Sequence, residues 1–157
     1  MKTGLILEGG AVRGIYTAGV LDAFMDNNIL FDGVIGVSAG AVHGCSYVSG
    51  QRGRSIRYYL KYLHHPEFMS LRSLFKTGSL VGHQFCYVQL PETLDPFDYR
   101  AFAASPMHFY AVCTNLETGK AEYIHMKESF HMDYLEASAS MPMVSKIVEI
   151  NNKKYLD

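Results

Sequence analysis

The sequence predicts an α/β protein in which helices cover a mainly parallel central sheet. Residues 1–48 alternate short apolar runs with segments of helical periodicity, and glycine-rich turns connect them. Strands that alternate with helices in this way pair in parallel, because each helix returns the chain to the start of the next strand. The chain has 157 residues, 48% of them hydrophobic, which is enough for one domain with a substantial core.

The first strand and helix span residues 4–27. Residues 4–8 form an apolar run typical of a buried strand, and a turn rich in glycine follows at 9–14. Apolar and small residues then recur at helical spacing, so we expect a helix that continues to about residue 27. The residues at this spacing are Val12, Ile15, Tyr16, Gly19, Val20, Ala23 and Phe24.

The next elements are a strand at 31–37, a helix at 39–48 and a third helix at 54–63. The third helix has an apolar face and a mainly basic face, which predicts that the apolar face is buried. Its apolar face consists of Ile56, Tyr59, Leu60 and Leu63, and its basic face of Arg54, Arg57, Tyr58 and Lys61. Residues 64–96 contain glycines and prolines and predict short helices and loops.

The last part of the chain predicts four strands and one helix. Residues 107–114 and 121–126 form strands that a turn at 117–120 connects. A helix at 130–140 ends before Pro142, which cannot continue it. Residues 147–150 and 153–156 flank Asn151 and Asn152, a pair that tolerates the positive φ angles of a tight hairpin.

The overall composition excludes several classes of function. The net charge of -1 gives no general attraction to nucleic acid, and no apolar run reaches the length of a membrane span. The apolar run near the N-terminus is too short for a signal peptide. The three cysteines lack metal-ligand spacing and fit free thiols in a reducing compartment. We therefore expect a cytoplasmic protein without a metal or cofactor, and the oligomeric state stays open.

A serine between two glycines follows the second strand. Residues 36–41 read GVSAGA, which contains the pattern G-x-S-x-G. At a tight strand-to-helix turn this pattern strains the backbone at Ser38 and raises its hydroxyl above the sheet, as in many nucleophiles. Gly36 and Gly40 are needed because side chains there would collide with neighbouring backbone. The simpler alternative is that Ser38 caps the following helix.

The glycine-rich turn after the first strand suits the same chemistry. Residues 8–14 read EGGAVRG. Attack by a serine produces an oxyanion that needs donors already in place, and successive backbone N–H groups before a helix can supply them. The spacing does not fit the dinucleotide-binding pattern G-x-G-x-x-G. An ordinary strand-to-helix turn remains the alternative.

Together these segments resemble the patatin-like phospholipase family. The resemblance rests on LILEGGAVRG at 5–14, GVL at 19–21 and GVSAGA at 36–41, and on ASASMP at 137–142 and KKYLD at 153–157. It spans nearly the whole chain and implies a three-layer α/β/α fold. It also implies a serine acyl hydrolase that cleaves lipid carboxylic esters through an acyl-enzyme, of phospholipase A, lysophospholipase or esterase type. A noncatalytic acyl-lipid-binding or regulatory protein with this fold is the alternative.

The resemblance also implies roles for individual residues. Ser38 matches the nucleophile, and Asp157 matches the aspartate of a Ser–Asp dyad. The sequence departs from the family where Ala11 replaces a glycine, and where it ends at Asp157 without the glycines that follow in the family. We therefore expect the hydrolase domain at 1–157 to be incomplete at its C-terminus. The residues that match the oxyanion and substrate-binding loop are Gly9, Gly10, Ala11, Arg13 and Gly14.

Two further questions stay open in the sequence. An acid that precedes Asp157 in the sequence would make a triad with Ser38 if it paired with His108, His125 or His131. We expect every histidine to be structural instead, including His43 and the pair at 64–65. Six basic residues and one acidic residue lie between 51 and 76, near apolar residues at 68–69 and 74–75. This basic helix face predicts peripheral contact with an anionic membrane surface, against the simpler interpretation of a solvated face over an ordinary core.

Overall fold

Six strands form one sheet in the part of the chain that the structure describes. The structure is a computed structural model that describes residues 1–128 and 130–157. All six strands lie within two residues of segments that the sequence predicts as extended. In chain order they are β1 (Gly4–Leu7), β2 (Gly33–Val37), β3 (His108–Asn115), β4 (Lys120–His125), β5 (Val148–Ile150) and β6 (Lys153–Leu156).

The sheet has a parallel centre and antiparallel additions. β1 pairs with β2 and β2 with β3 in parallel. β4 pairs antiparallel with β3, as do β6 with β3 and β5 with β6. The predicted α/β class with a parallel centre is therefore confirmed, and the antiparallel pairs make the complete sheet mixed.

The pairing of β3 brings the ends of β2 and β6 together. Val112 pairs with the last residue of β2, and Thr114 pairs with the last residue of β6. Because β4 occupies the opposite edge of β3 along both stretches, β2 and β6 share one edge and approach each other from opposite directions. Ser38 follows β2 and Asp157 follows β6, so both lie beside the same part of β3.

Helices connect these strands. The predicted first, second and third helices are confirmed, whereas the helix at 99–104 was not predicted. The helices are α1 (Gly14–Asp26), α2 (Ala39–Val48), α3 (Arg54–Tyr62), α4 (Leu71–Thr77), a π-helix (Gln84–Leu94), α5 (Tyr99–Ala104) and α6 (Met132–Ser138). No helix among residues 1–128 and 130–157 is long and apolar enough to cross a bilayer.

Two apolar clusters form the core. The larger one lies between the sheet and the helices α1, α2 and α6, and includes Val34, Phe109 and Ala111 on the strands. Nearly every residue of α2 is buried, so this helix is the centre of the domain. The smaller cluster lies over α3 and the π-helix and consists of Tyr58, Tyr59, Phe68, Phe85 and Leu90.

The residues that predict α1 are not the ones that it buries most deeply. Tyr16 is 79% exposed, and the buried residues of the helix are Gly14, Ala18 and Leu21. Two of these three are small, and α1 packs against α2. Close helix packing therefore selects the small residues of α1, whereas the sequence pattern emphasises its large ones.

The predicted basic face of α3 is wrong at Arg54 and Tyr58, which are buried, whereas Arg57 and Lys61 are exposed. Arg54 is buried, donates a hydrogen bond of 2.8 Å to the Asp95 carbonyl and stacks on the Tyr58 ring. Arg57 pairs with the Asp95 carboxylate at 2.7 Å, and Leu60 is exposed instead. Because one buried carboxylate and an aromatic ring satisfy these guanidinium groups, they do not form a free cationic surface.

Candidate active site

Ser38 lies between β2 and α2 in a strained backbone conformation. Its φ of 55° and ψ of −126° lie outside the regions that residues with a Cβ favour. Its side chain makes no capping hydrogen bond to α2, although its carbonyl accepts the N–H of Ala41 at 2.9 Å. The geometry therefore favours the nucleophile-elbow interpretation over the helix-cap interpretation.

The two glycines of the elbow lie in close backbone contact. A Cβ on Gly36 would be 2.5 Å from the Cα of Ala41, and a Cβ on Gly40 would be 2.3 Å from the carbonyl oxygen of Leu7. Neither position has space for a side chain, because the opposing atoms belong to the backbone. This contact holds the start of α2 directly against β1.

The loop after β1 lies next to Ser38. A Cβ on Gly9 would be 3.0 Å from the Cβ of Ser38. The Arg13 N–H donates to the Gly10 carbonyl at 2.9 Å and closes a 3-10 turn over Ala11–Arg13. Ala11 has a φ of 46°, the left-handed region in which glycine has the least strain. This conformation explains in physical terms why a glycine suits the position.

The end of this loop is tightly packed on one side and open on the other. Gly14 is buried at the start of α1, where a Cβ would lie 2.8 Å from the Cβ of Ala39 and 2.9 Å from the Nε2 of His43. Arg13 is exposed to solvent. The loop is thus anchored through Gly14, while the Arg13 side chain stays available to a ligand.

Asp157 reaches Ser38 from the other end of the sequence. Its N–H donates to the Ser140 carbonyl at 2.9 Å, and the Thr114 hydroxyl donates to its carbonyl at 3.3 Å. Burial raises the pKa of the Asp157 carboxyl, and the nearby Ser38 side chain opposes this rise. The structure therefore brings together the two residues that the sequence suggests as a dyad.

An apolar cavity of about 80 Å³ opens beside Ser38 and Ala11. No charged side chain of the described residues lines it. Its walls come from α2, α3, the segment before α4, the π-helix and the segment after α6. They include Val42, Tyr58, Phe68, Met69, Leu90 and Met141.

Comparison with known proteins identifies the family. The family model for patatin-like phospholipase matches residues 5–157. The chain belongs to the patatin-like phospholipase family. The match contains the loop after β1, the elbow and Asp157, so it covers every part of the site described above.

One curated relative gives a more distant comparison. The patatin-like chain is 27% identical, over 162 aligned residues, to the uncharacterized protein YjjU of Escherichia coli strain K12. The alignment covers 99% of this chain and 45% of that relative. The chain thus spans less than half the length of the curated relative that it matches.

The histidines of this patatin-like protein lie apart from the Ser38 hydroxyl. In the described residues, none of them hydrogen-bonds to Ser38. His108 and His125 contact each other at 3.1 Å, and His131, just before α6, contacts Asp133 at 3.1 Å. His43 is buried without a polar partner, and burial lowers its pKa to about 4. These positions give no support to a triad.

A larger cleft of about 840 Å³ lies elsewhere on the surface. Neither Ser38 nor Asp157 lines it. Charged residues of both signs form its walls, including Glu67, Arg72 and Glu136. Within residues 1–128 and 130–157 there is also no cluster of three or more His, Cys, Asp or Glu residues that could hold a metal. The small apolar cavity is therefore the better candidate site for an acyl group.

One site residue was missed by the sequence analysis. Ser138, at the end of α6, accepts a hydrogen bond of 2.9 Å from the backbone N–H of Ser38. The sequence places Ser138 in the segment ASASMP at 137–142, which resembles the family but implies no role for this residue. The contact joins residues 100 positions apart, so only the fold reveals it.

Proposed function

We propose that this patatin-like protein is a serine hydrolase that cleaves carboxylic esters of lipids, of phospholipase A, lysophospholipase or esterase type. The observation that carries the proposal is the strained Ser38, which lies near Asp157 and opens to an apolar cavity. Membership of the family supports hydrolase activity on lipids in general. The apolar cavity supports an acyl chain as the group that is bound beside Ser38.

In the proposed mechanism Asp157 accepts the proton of the Ser38 hydroxyl as its oxygen attacks the ester carbonyl. The backbone N–H groups of Gly9, Gly10 and Ala11 stabilise the oxyanion. Asp157 then returns the proton to the leaving alcohol, and the acyl group stays on Ser38. Water hydrolyses this acyl-enzyme by the same proton transfers. Burial that raises the pKa of Asp157 makes its carboxylate a stronger base than one in water.

We also propose that α4 contacts an anionic lipid surface. Leu71 and Phe75 are 66% and 88% exposed, and their spacing of four residues places them on one face of this helix. Arg72 and Lys76 are exposed beside them. The residues just before α4, Phe68 and Met69, line the cavity at Ser38. An acyl chain that leaves a bilayer at α4 would thus have a short path to Ser38.

Labelling with an alkyl fluorophosphonate tests the proposed hydrolase. The wild-type protein should react covalently, and Ser38→Ala should lose both the label and about 10³-fold or more of the hydrolysis of a p-nitrophenyl ester. Asp157→Asn should keep the fold and lose hydrolysis. Ser49→Ala is the matched control, because Ser49 is a buried serine at the far end of α2. A folded wild-type protein that does not label would favour a noncatalytic lipid-binding protein.

A further inference from the structure

We infer that Ser138 is a positioning residue that fixes the backbone of the nucleophile. The inference rests on the proposed function, since it concerns how Ser38 is held for attack. Ser138 lies at the C-terminal end of α6 and has no exposed surface. Its hydroxyl therefore acts only through its protein neighbours.

The Ser138 hydroxyl joins two backbone groups on neighbouring strands. It accepts the N–H of Ser38 at 2.9 Å and donates to the carbonyl of Val112 at 2.7 Å. Val112 is the β3 residue that pairs with the last residue of β2. The hydroxyl thus connects the two strands at the point where β2 ends and the chain turns into the elbow.

This connection is needed because the elbow is strained and buried. Ser38 is 7% exposed, and its backbone conformation is one that persists only when surrounding contacts hold it. Without the Ser138 hydroxyl, the Ser38 N–H would lose its partner in a buried environment. The chain could then recover a hydrogen bond by relaxing the turn, which would move the Ser38 side chain.

The same end of α6 also holds the proposed base. The Ser140 carbonyl accepts the N–H of Asp157 at 2.9 Å, and the Ser140 hydroxyl donates to the Glu136 carbonyl at 2.8 Å. Ser138 and Ser140 are two residues apart in one rigid turn. Their spacing therefore sets the distance between the backbones of Ser38 and Asp157, and with it the contact between the two side chains.

The connection also limits which groups can stabilise an oxyanion. The Ser38 N–H already donates to Ser138, so it is not free for the substrate. The donors must then come from the loop of Gly9, Gly10 and Ala11, or from the start of α2. If this assignment holds, the distance between the Ser38 side chain and the N–H groups of that loop is critical for stabilising the oxyanion.

A series of variants at Ser138 tests the inference. Ser138→Ala removes the hydroxyl, and Ser138→Cys keeps a weak donor and acceptor of similar size. We expect kcat for a p-nitrophenyl ester to fall about 10- to 100-fold in Ser138→Ala with KM within about twofold, and less in Ser138→Cys. Ser49→Ala removes another buried hydrogen bond, of 3.1 Å, and should leave kcat unchanged.

Hydrogen exchange of the Ser38 amide gives a readout that does not require activity. This amide should be protected in the wild type, and Ser138→Ala should increase its exchange rate about tenfold or more without affecting amides of β1. Unchanged exchange, or unchanged kcat in folded Ser138→Ala, would overturn the inference. If Ser138→Ala exchanges the Ser38 amide faster but the folded wild-type protein does not label with fluorophosphonate, the hydrogen bond is supported and the proposed hydrolase is overturned.

Discussion

Ser38 and Ala11 both adopt positive φ angles at the same site, although neither is a glycine. Their φ values are 55° and 46°, and both border the apolar cavity. Each such residue costs about 1–3 kcal/mol, so the surrounding structure must hold them in place. The close contacts at Gly36 and Gly40 and the hydrogen bond to Ser138 do this for Ser38. The backbone strain at Ser38 therefore accompanies the conformation that directs its hydroxyl toward the cavity.

His43 is the most strongly perturbed histidine of the site region. Its ring is 1% exposed, neither nitrogen has a polar partner in the described structure, and it lies against Gly14 and Tyr59. Burial without a partner disfavours the charged ring, which lowers its pKa to about 4. The neutral ring thus fills space under the start of α1, next to the predicted oxyanion loop.

The low pKa of His43 predicts a loss of stability in mild acid. Between pH 6.5 and about 4 the unfolded chain binds a proton that the folded state excludes, so the free energy of unfolding falls as the pH falls. The full effect is about 3 kcal/mol. In urea unfolding at a series of pH values, His43→Met should show a weaker pH dependence than the wild type. His64→Met, at an exposed position, is the control, and an equal change in both variants would contradict the prediction.

Among single residues, the sequence identifies candidate site residues that lie in recognisable motifs. It does not identify residues whose role depends on contacts made in the folded structure. Ser38 and the loop at 9–14 lie in short motifs whose chemistry is readable from residue type and spacing. Ser138 lies in the segment ASASMP, which resembles the family but implies no role for it, and His43 lies in no motif. Their roles depend on contacts with Val112 and Gly14, which only the packing of α6 and α1 creates.

At the element scale, the site depends on how closely α2 approaches β1. Gly40 is the point of contact, since a Cβ there would lie 2.3 Å from the Leu7 carbonyl oxygen and 2.8 Å from that of Glu8. The same strand continues into the loop beside Ser38. Any separation of α2 from β1 would therefore also separate Ser38 from its predicted oxyanion donors.

Two glycines in helices give opposite predictions for substitution by alanine. Gly40→Ala should lower the free energy of unfolding by about 3 kcal/mol, because the backbone contact cannot be kept. A Cβ on Gly19 in α1 would have no atom within 4 Å, so Gly19→Ala should raise the free energy of unfolding by about 1 kcal/mol through helix propensity. Urea unfolding of both variants measures the difference. Similar effects from the two substitutions would show that α2 does not approach β1 this closely.

Most regular elements were predictable from the sequence, whereas α5 and the π-helix were not. The strands and the first three helices follow clear apolar periodicity, and Asn151 and Asn152 have the predicted positive φ angles at 52° and 61°. The π-helix Gln84–Leu94 contains Pro91, a residue that sequence rules treat as a helix breaker. Its wider turn and its packing against α6 are tertiary effects that no local pattern contains.

At the scale of the whole molecule, the two faces of the sheet differ. The helices pack on the face that contains Val34 and Phe109, where both side chains are fully buried. The opposite face includes Ile6 and Tyr123, which are 76% and 61% exposed. The resemblance to the family implies a three-layer fold, in which a second layer of helices would cover Ile6 and Tyr123. Exposed apolar side chains on a sheet face are the physical reason to expect such a cover.

The proposed contact between α4 and lipid is a prediction about the whole molecule, because it orients the site on a membrane. Phe75→Glu should lower binding to vesicles of phosphatidylglycerol and phosphatidylcholine about tenfold, since it removes an exposed aromatic side chain that would insert into the lipid and adds a negative charge. Tyr123→Glu makes the same charge change at another exposed aromatic residue, on β4, and should have little effect. Cosedimentation with the vesicles measures both variants.

Hydrolysis of a soluble ester separates this docking surface from the chemistry at Ser38. Phe75→Glu should keep wild-type activity on a monomeric p-nitrophenyl ester and lose activity on the same acyl group in vesicles, because α4 does not line the cavity. Equal losses of vesicle binding in Phe75→Glu and Tyr123→Glu would indicate a general effect of charge. Binding that neither variant changes would place the lipid contact on another surface, and the exposed apolar face of α4 would then need a different partner.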